Sequence, residues 1–120
     1  MANKARFRSL SRRSDFLSLK SNGRSIHVNS WLIVNLQRTE LDEIRCGWTI
    51  SRQIGSAVIR NRLRRWGKEY LRRWAAQGRG GLDLNVIFRR RDRSFYSELS
   101  HEDFDKVMEK LVRRLERFSE

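Results

Sequence analysis

The residues best equipped for chemistry lie close together in the middle of the chain. Arg60, Asn61, Arg62, Arg64, Arg65 and Lys68 follow one another closely, and only Glu69 offsets the cations between positions 55 and 73. Guanidinium groups offer planar forks of donors that match phosphate oxygens, and the Asn61 amide both donates and accepts, which suits a ribose, a base edge or a phosphate. Bond cleavage needs other tools, and these are sparse. The histidines are His27 and His101, Asp42 and Glu43 share a loop, and Glu102 and Asp103 fall in a first helical turn. No acid pair stands at a recognisable metal spacing. The pattern is that of a chain that holds a polyanion, and it argues against protein-borne acid–base or metal chemistry.

A helix must position these cations. Ile59, Leu63, Trp66, Tyr70 and Trp74 recur at the spacing of one apolar face, which places Arg60, Arg64, Arg65, Lys68 and Arg72 on the other side with Asn61 near its middle. Gly67 interrupts this helix at a cost of about 1 kcal/mol relative to Ala, and close packing of a neighbouring strand there would account for it. Other readings of such a helix are a solvated charged face, a membrane-surface helix or a docking helix for an acidic protein. Surface helices usually mix charge signs, and the flanking sequence reads as strands of a globular domain.

The chain of 120 residues reads as a single domain spanning 1–120, large enough for one core. Its 27 Lys+Arg against 14 Asp+Glu leave +13, a field that points to a nucleic acid or another polyanion. Residues 1–37 carry seven cations and one acid, 51–79 nine and one, 80–93 four and two, whereas 94–120 carry seven acids and five cations. Cys46 is alone, which leaves no disulfide framework, and a small buried thiol is the expected reading. No apolar run approaches a membrane span and no signal peptide is recognisable, so a cytoplasmic location is expected.

In chain order, 1–13 reads as a basic, flexible arm. A short helix from Ser14, capped by that residue and closed by Gly23, puts Phe16 and Leu19 on one face. Residues 31–36 read as a strand covered on both faces, 40–43 as a hairpin loop, and 46–51 as the returning strand. Residues 77–81 read as a flexible connection, 82–88 as a strand, and Ser100 as the cap of a last, structural helix with Phe104, Val107, Met108, Leu111, Leu115 and Phe118 on its apolar stripe. The order is α+β.

The stretch from Gly47 to Arg65, containing Gly47-Trp48-Thr49-Ile50-Ser51 and then Ala57-Val58-Ile59-Arg60-Asn61-Arg62-Leu63-Arg64-Arg65, resembles the signature of the protein subunit of bacterial ribonuclease P. The spacing from Phe16 to Gly23 and the later Asp83, strand and Arg89 resemble that family too, so the likeness runs over nearly the whole chain. It implies an α-β-β-β-α-β-α sandwich with a left-handed βαβ crossover, as in the second domain of a ribosomal protein, against the usual right-handed connection. It also implies a ribonucleoprotein. The chain would bind a catalytic RNA subunit and the 5′ leader of precursor tRNA, assisting Mg²⁺-dependent removal of that leader, with Mg²⁺ held mainly by RNA and substrate. No membrane and no obligate protein partner are expected. By position, the RNA face would comprise Arg52, Arg60, Asn61, Arg62, Arg64, Arg65 and Lys68, and the leader cleft Phe16, Leu32, Val34, Thr49 and Ser51. Lys20 and Val34 stand where the family commonly or often carries aromatics, so Phe16 would be the cleft's stacking residue. Two alternatives are a general or ribosomal RNA-binding protein and a protein-only nuclease.

Overall fold

The computed structural model describes residues 6–78 and 80–119; residues 1–5 of the expected arm and Arg79 of the expected connection lie outside the described residues. Five strands form one sheet in the order β1-β4-β5-β3-β2. They are β1 (Arg6–Ser9), β2 (Arg24–His27), β3 (Leu32–Arg38), β4 (Glu43–Thr49) and β5 (Leu82–Phe88), with helices α1 (Arg13–Asn22), α2 (Ala57–Ala75), α3 (Phe95–Glu98) and α4 (His101–Ser119). β2 with β3 and β3 with β5 are antiparallel, whereas β1 with β4 and β4 with β5 are parallel. β4, α2 and β5 thus form the βαβ crossover of the expected sandwich.

The sheet divides the protein by side-chain parity. Leu32, Val34 and Leu36 of β3, Ile44 and Cys46 of β4, and Leu82, Leu84 and Val86 of β5 form one core with Leu63, Trp66, Leu71 and Trp74 of α2 and Phe104, Met108, Leu111 and Leu115 of α4. The opposite face carries Ile33, Asn35 and Gln37, and α1 lies across it, anchored by buried Leu19. Burial of Cys46 pushes its thiol pKa well above the usual range, which leaves it an inert packing residue, as expected.

Several sequence expectations change. Residues 6–9, read as part of a flexible arm, form edge strand β1 against β4. Residues 40–43 do not close a hairpin, because β5 inserts between β3 and β4 and pairs with both. The hairpin is instead β2–β3, whose turn is held by the Asn29 side chain accepting from the Trp31 and Leu32 amides at 2.9 and 2.8 Å. β3 alternates between buried and half-buried; the strand covered on both faces is central β5. Arg12, not Ser14, precedes the first turn of α1, without a side-chain cap. Gly23 does end α1, and a Cβ there would lie 2.5 Å from the Leu19 carbonyl oxygen and 2.7 Å from that of Leu36. Ser100 caps α4 as expected, accepting from the Asp103 amide at 3.0 Å.

Candidate nucleic-acid interface

Helix α2 begins where the Ser56 hydroxyl accepts from the Ile59 amide, after a 3₁₀ turn at Arg52–Ile54. Burial of Leu63, Trp66, Gly67, Leu71 and Trp74 fixes its rotation. Asn61, Arg65 and Arg72 are consequently exposed, with Arg64 and Lys68 half-buried beside them. The Arg64 guanidinium donates to Asn61 Oδ1 at 2.8 Å, so the amide and the cation are presented together. With Lys68, Glu69 and Arg72 they surround a surface depression of about 360 Å³. Arg60 donates to the Gly55 carbonyl at 3.2 Å, and Arg52 is exposed on the 3₁₀ turn. Among the described residues, none of Arg52, Arg60, Arg62, Arg64, Arg65 and Lys68 forms an ion pair with a carboxylate. The exposed members of this set, Arg52 and Arg65, face solvent.

Arg62, which the resemblance places on the RNA face, is half-buried and turned toward the protein. Its guanidinium donates to the Tyr96 carbonyl at 3.0 Å and lies 5.1 Å from the centroid of the Trp66 ring. It ties α2 to α3, the short helix that the sequence reading missed. The reason is geometric: Arg62 and Trp66 are four residues apart and therefore neighbours on the helix surface. His101 stacks parallel to Trp66 at 4.5 Å and sits 3.6 Å from Asp105, a packing arrangement at the start of α4.

The cleft face is built in rows. Thr49, Ile87, Ile33 and His27 occupy partner positions across β4, β5, β3 and β2, and Gly47, Asn85, Asn35 and Ser25 form the next row. The Phe16 ring fills the space over Gly47, where a Cβ would come within 2.4 Å of the ring. Thr49 donates to Asn85 Oδ1 at 3.1 Å and Ser25 to Asn35 Oδ1 at 2.7 Å, so polar groups line this surface. A third row pairs Arg45 with buried Asp83 through two hydrogen bonds, which raise the Arg45 pKa. Ser51 is exposed just beyond β4, and Lys20 is exposed in the last turn of α1.

Leu32 and Val34, expected in the cleft, are fully buried on the other face against α2 and α4. The parity of β3 exposes Ile33 and Asn35 to the cleft instead. Because β3 is apolar at both parities near its start, only its register with β5 distinguishes them. Val34 is therefore no place for a base-stacking side chain in this protein. The sequence reading also missed His27 and Asn85, whose positions follow only from strand pairing.

The two surfaces meet where Ser51 passes into Arg52. Arg89, Arg90 and Arg91, exposed beyond β5, leave the sheet at the same end, because Ile87 is paired with Thr49. Arg91 lies over Phe95 at 5.2 Å. The chemistry available here is phosphate neutralisation, amide recognition and stacking. No group of three or more His, Cys, Asp or Glu among the described residues could hold a metal ion, and no described helix is long and apolar enough to cross a membrane.

The sequence family described as Ribonuclease P matches residues 4–116. A ribonuclease P protein component of Desulforapulum autotrophicum is 33% identical over 104 residues, covering 87% of this chain and 88% of the relative. That of Thermotoga maritima is 35% identical over 105 residues, covering 88% and 86%. A solved structure of the ribonuclease P protein from Thermotoga maritima superposes with a TM-score of 0.74 at 32% identity, covering 91% of this chain and 96% of that one. The Staphylococcus aureus ribonuclease P protein shares the fold at a TM-score of 0.77 and 21% identity, over 89% and 94% of the two chains. With a matched family spanning nearly its full length and relatives of this identity and coverage, the chain belongs to the ribonuclease P protein component family.

Proposed function

We propose that this protein component binds its catalytic RNA subunit through the outer face of α2 and guides the 5′ leader of precursor tRNA along the α1 side of the sheet. The observation that carries this reading is the row of α2 cations with no carboxylate partner among the described residues. A folded RNA supplies the missing negative charge, and release of its counterions drives association. The cleft begins where that cationic face ends, so a leader leaving the reaction centre passes Arg52 and Ser51 before reaching Thr49 and Phe16.

Among the described residues, no group of three or more His, Cys, Asp or Glu is placed to hold a metal ion, and Asp83 is taken by Arg45. We therefore place Mg²⁺ on the RNA subunit and substrate, and the bond-breaking step with them. The protein's part is to neutralise phosphate repulsion and to orient the leader, in the cytoplasm.

Reconstitution with the cognate RNA on a precursor tRNA tests this. The protein alone should not cleave, and its addition should lower the Mg²⁺ requirement of the RNA. Contact with ~6 phosphates predicts a log–log salt slope of roughly −4 to −5. An identical Mg²⁺ requirement with and without protein, or Mg²⁺-dependent cleavage by RNA-free protein, would refute the assignment. Within the cleft, Phe16→Ala should weaken leader-bearing substrate relative to mature tRNA by about 1–3 kcal/mol, the worth of one base stack. Equal losses on both substrates would reduce Phe16 to a packing residue.

A further inference from the structure

Asn85 stands in the middle of the central strand β5 and is 7% exposed. An amide is a poor residue for such a place, and an apolar side chain like Ile33 or Ile87 of the next row would bury there without penalty. Its partner across the strand pair is Asn35 of β3. The two amides are held from opposite sides. Thr49 of β4 donates to Asn85 Oδ1 at 3.1 Å, and Ser25 of β2 donates to Asn35 Oδ1 at 2.7 Å. Because β5 and β3 lie between β4 and β2, each oxygen is drawn outward and each NH₂ group turns in toward the seam between β5 and β3. Among the described residues neither Nδ2 has a hydrogen-bond partner, and neither is sealed from solvent.

A donor left unpaired in a buried amide weakens the fold, so this pair stabilises the sheet less than it could until a ligand completes it. The ligand's chemistry follows from the surroundings. The row carries no charge, and Arg45 of the adjoining row is neutralised by Asp83, which disfavours a phosphate and favours neutral acceptors. Phe16 of α1 covers Gly47, the β4 partner of Asn85, so the stacking ring and the amide pair adjoin.

We infer that Asn35 and Asn85 read the edge of one leader base and select guanine. Guanine presents two acceptors, O6 and N7, side by side, whereas adenine presents an amino group beside N7 that would abut the NH₂ donors. The usual two-point pairing of an amide with adenine uses the amide oxygen, which Thr49 and Ser25 hold here. A base of a single strand stacked on an aromatic ring keeps its edge free for such contacts. The inference rests on the proposed path of the leader and adds to it the base selected.

The test uses the holoenzyme reconstituted with the cognate RNA, on precursors whose leaders carry each of the four bases at each position in turn. Guanine at one position should raise kcat/KM about 5–30-fold over adenine, and the RNA subunit alone at raised Mg²⁺ should show no such preference. Asn85→Leu and Asn35→Ala should each reduce the preference to within about twofold, and the thermal midpoint of Asn85→Leu should equal or exceed that of wild type. 7-Deazaguanine at that position, which lacks the N7 acceptor, should weaken the wild-type preference and have no further effect with Asn85→Leu. A preference for another base, a guanine preference retained by both variants, or one already present in the RNA alone would overturn the inference. Equal rates for all four bases, with leader-bearing precursor still bound more tightly than mature tRNA, would also overturn it while leaving the leader path standing. Equal binding of precursor and mature tRNA would remove the path itself.

Discussion

Arg64→Glu/Arg65→Glu is expected to reduce affinity for the catalytic RNA by about 10²–10³-fold at physiological salt while leaving the fold intact. Each neutralised phosphate contact contributes roughly 0.7–0.9 to the salt slope, so two arginines supply somewhat more than one decade near 0.15 M, and reversing their charge roughly doubles the loss. Arg65 is exposed and Arg64 bonds only to Asn61 among the described residues, so neither replacement opens the core. Filter binding or fluorescence anisotropy across a salt series reads both the affinity and the slope. The milder Arg64→Ala/Arg65→Ala variant should flatten the slope by about 1.5. A lost cooperative thermal transition in either variant would show that this face is structural.

Gly67→Ala is expected to destabilise the protein, although alanine is the better helix former by about 1 kcal/mol. The new Cβ would stand 2.3 Å from the far edge of the Trp48 ring, which is packed between β4 and α2. Displacing this half-buried indole costs about 1–3 kcal/mol beyond the propensity gain, or a thermal midpoint lower by roughly 4–12 °C. The decisive measurement is a double-mutant cycle with Trp48→Ala. Once the ring is gone, Gly67→Ala should become neutral or stabilising, so the two effects will not add. Additive losses would exclude the steric account.

The helices were largely readable because their information is local. The apolar spacing of α2 and α4 and the Ser100 cap each depend on residues within one turn or two, and even the close contact at Gly67 could be anticipated. The strands were less readable because their information is not local. Leu32-Ile33-Val34 is apolar at both parities, so the cleft side could not be assigned without knowing that Ile33 pairs with Ile87. The acidic run at 40–43 looks like a hairpin loop, and nothing near it announces that β5, some forty residues later, will insert there. β1 is short and basic, and its pairing with β4 comes from Leu10 and Phe7 docking at positions distant in sequence. For Arg62 the information was present but faint: its four-residue offset from Trp66 places it at the margin of the apolar face.

The central strand is one of the last parts of the sheet to be synthesised. Until Leu82–Phe88 has left the ribosome, β2–β3 and β4 have no common partner, and the apolar side of α2 has no completed surface to cover. Closure is therefore a late, long-range event, which places the protein among slower-folding topologies. Meanwhile a nascent chain displays a strongly cationic helix in a cell rich in RNA. Its first encounter with polyanions precedes its native shape, and discrimination among them begins only when β5 locks the sheet.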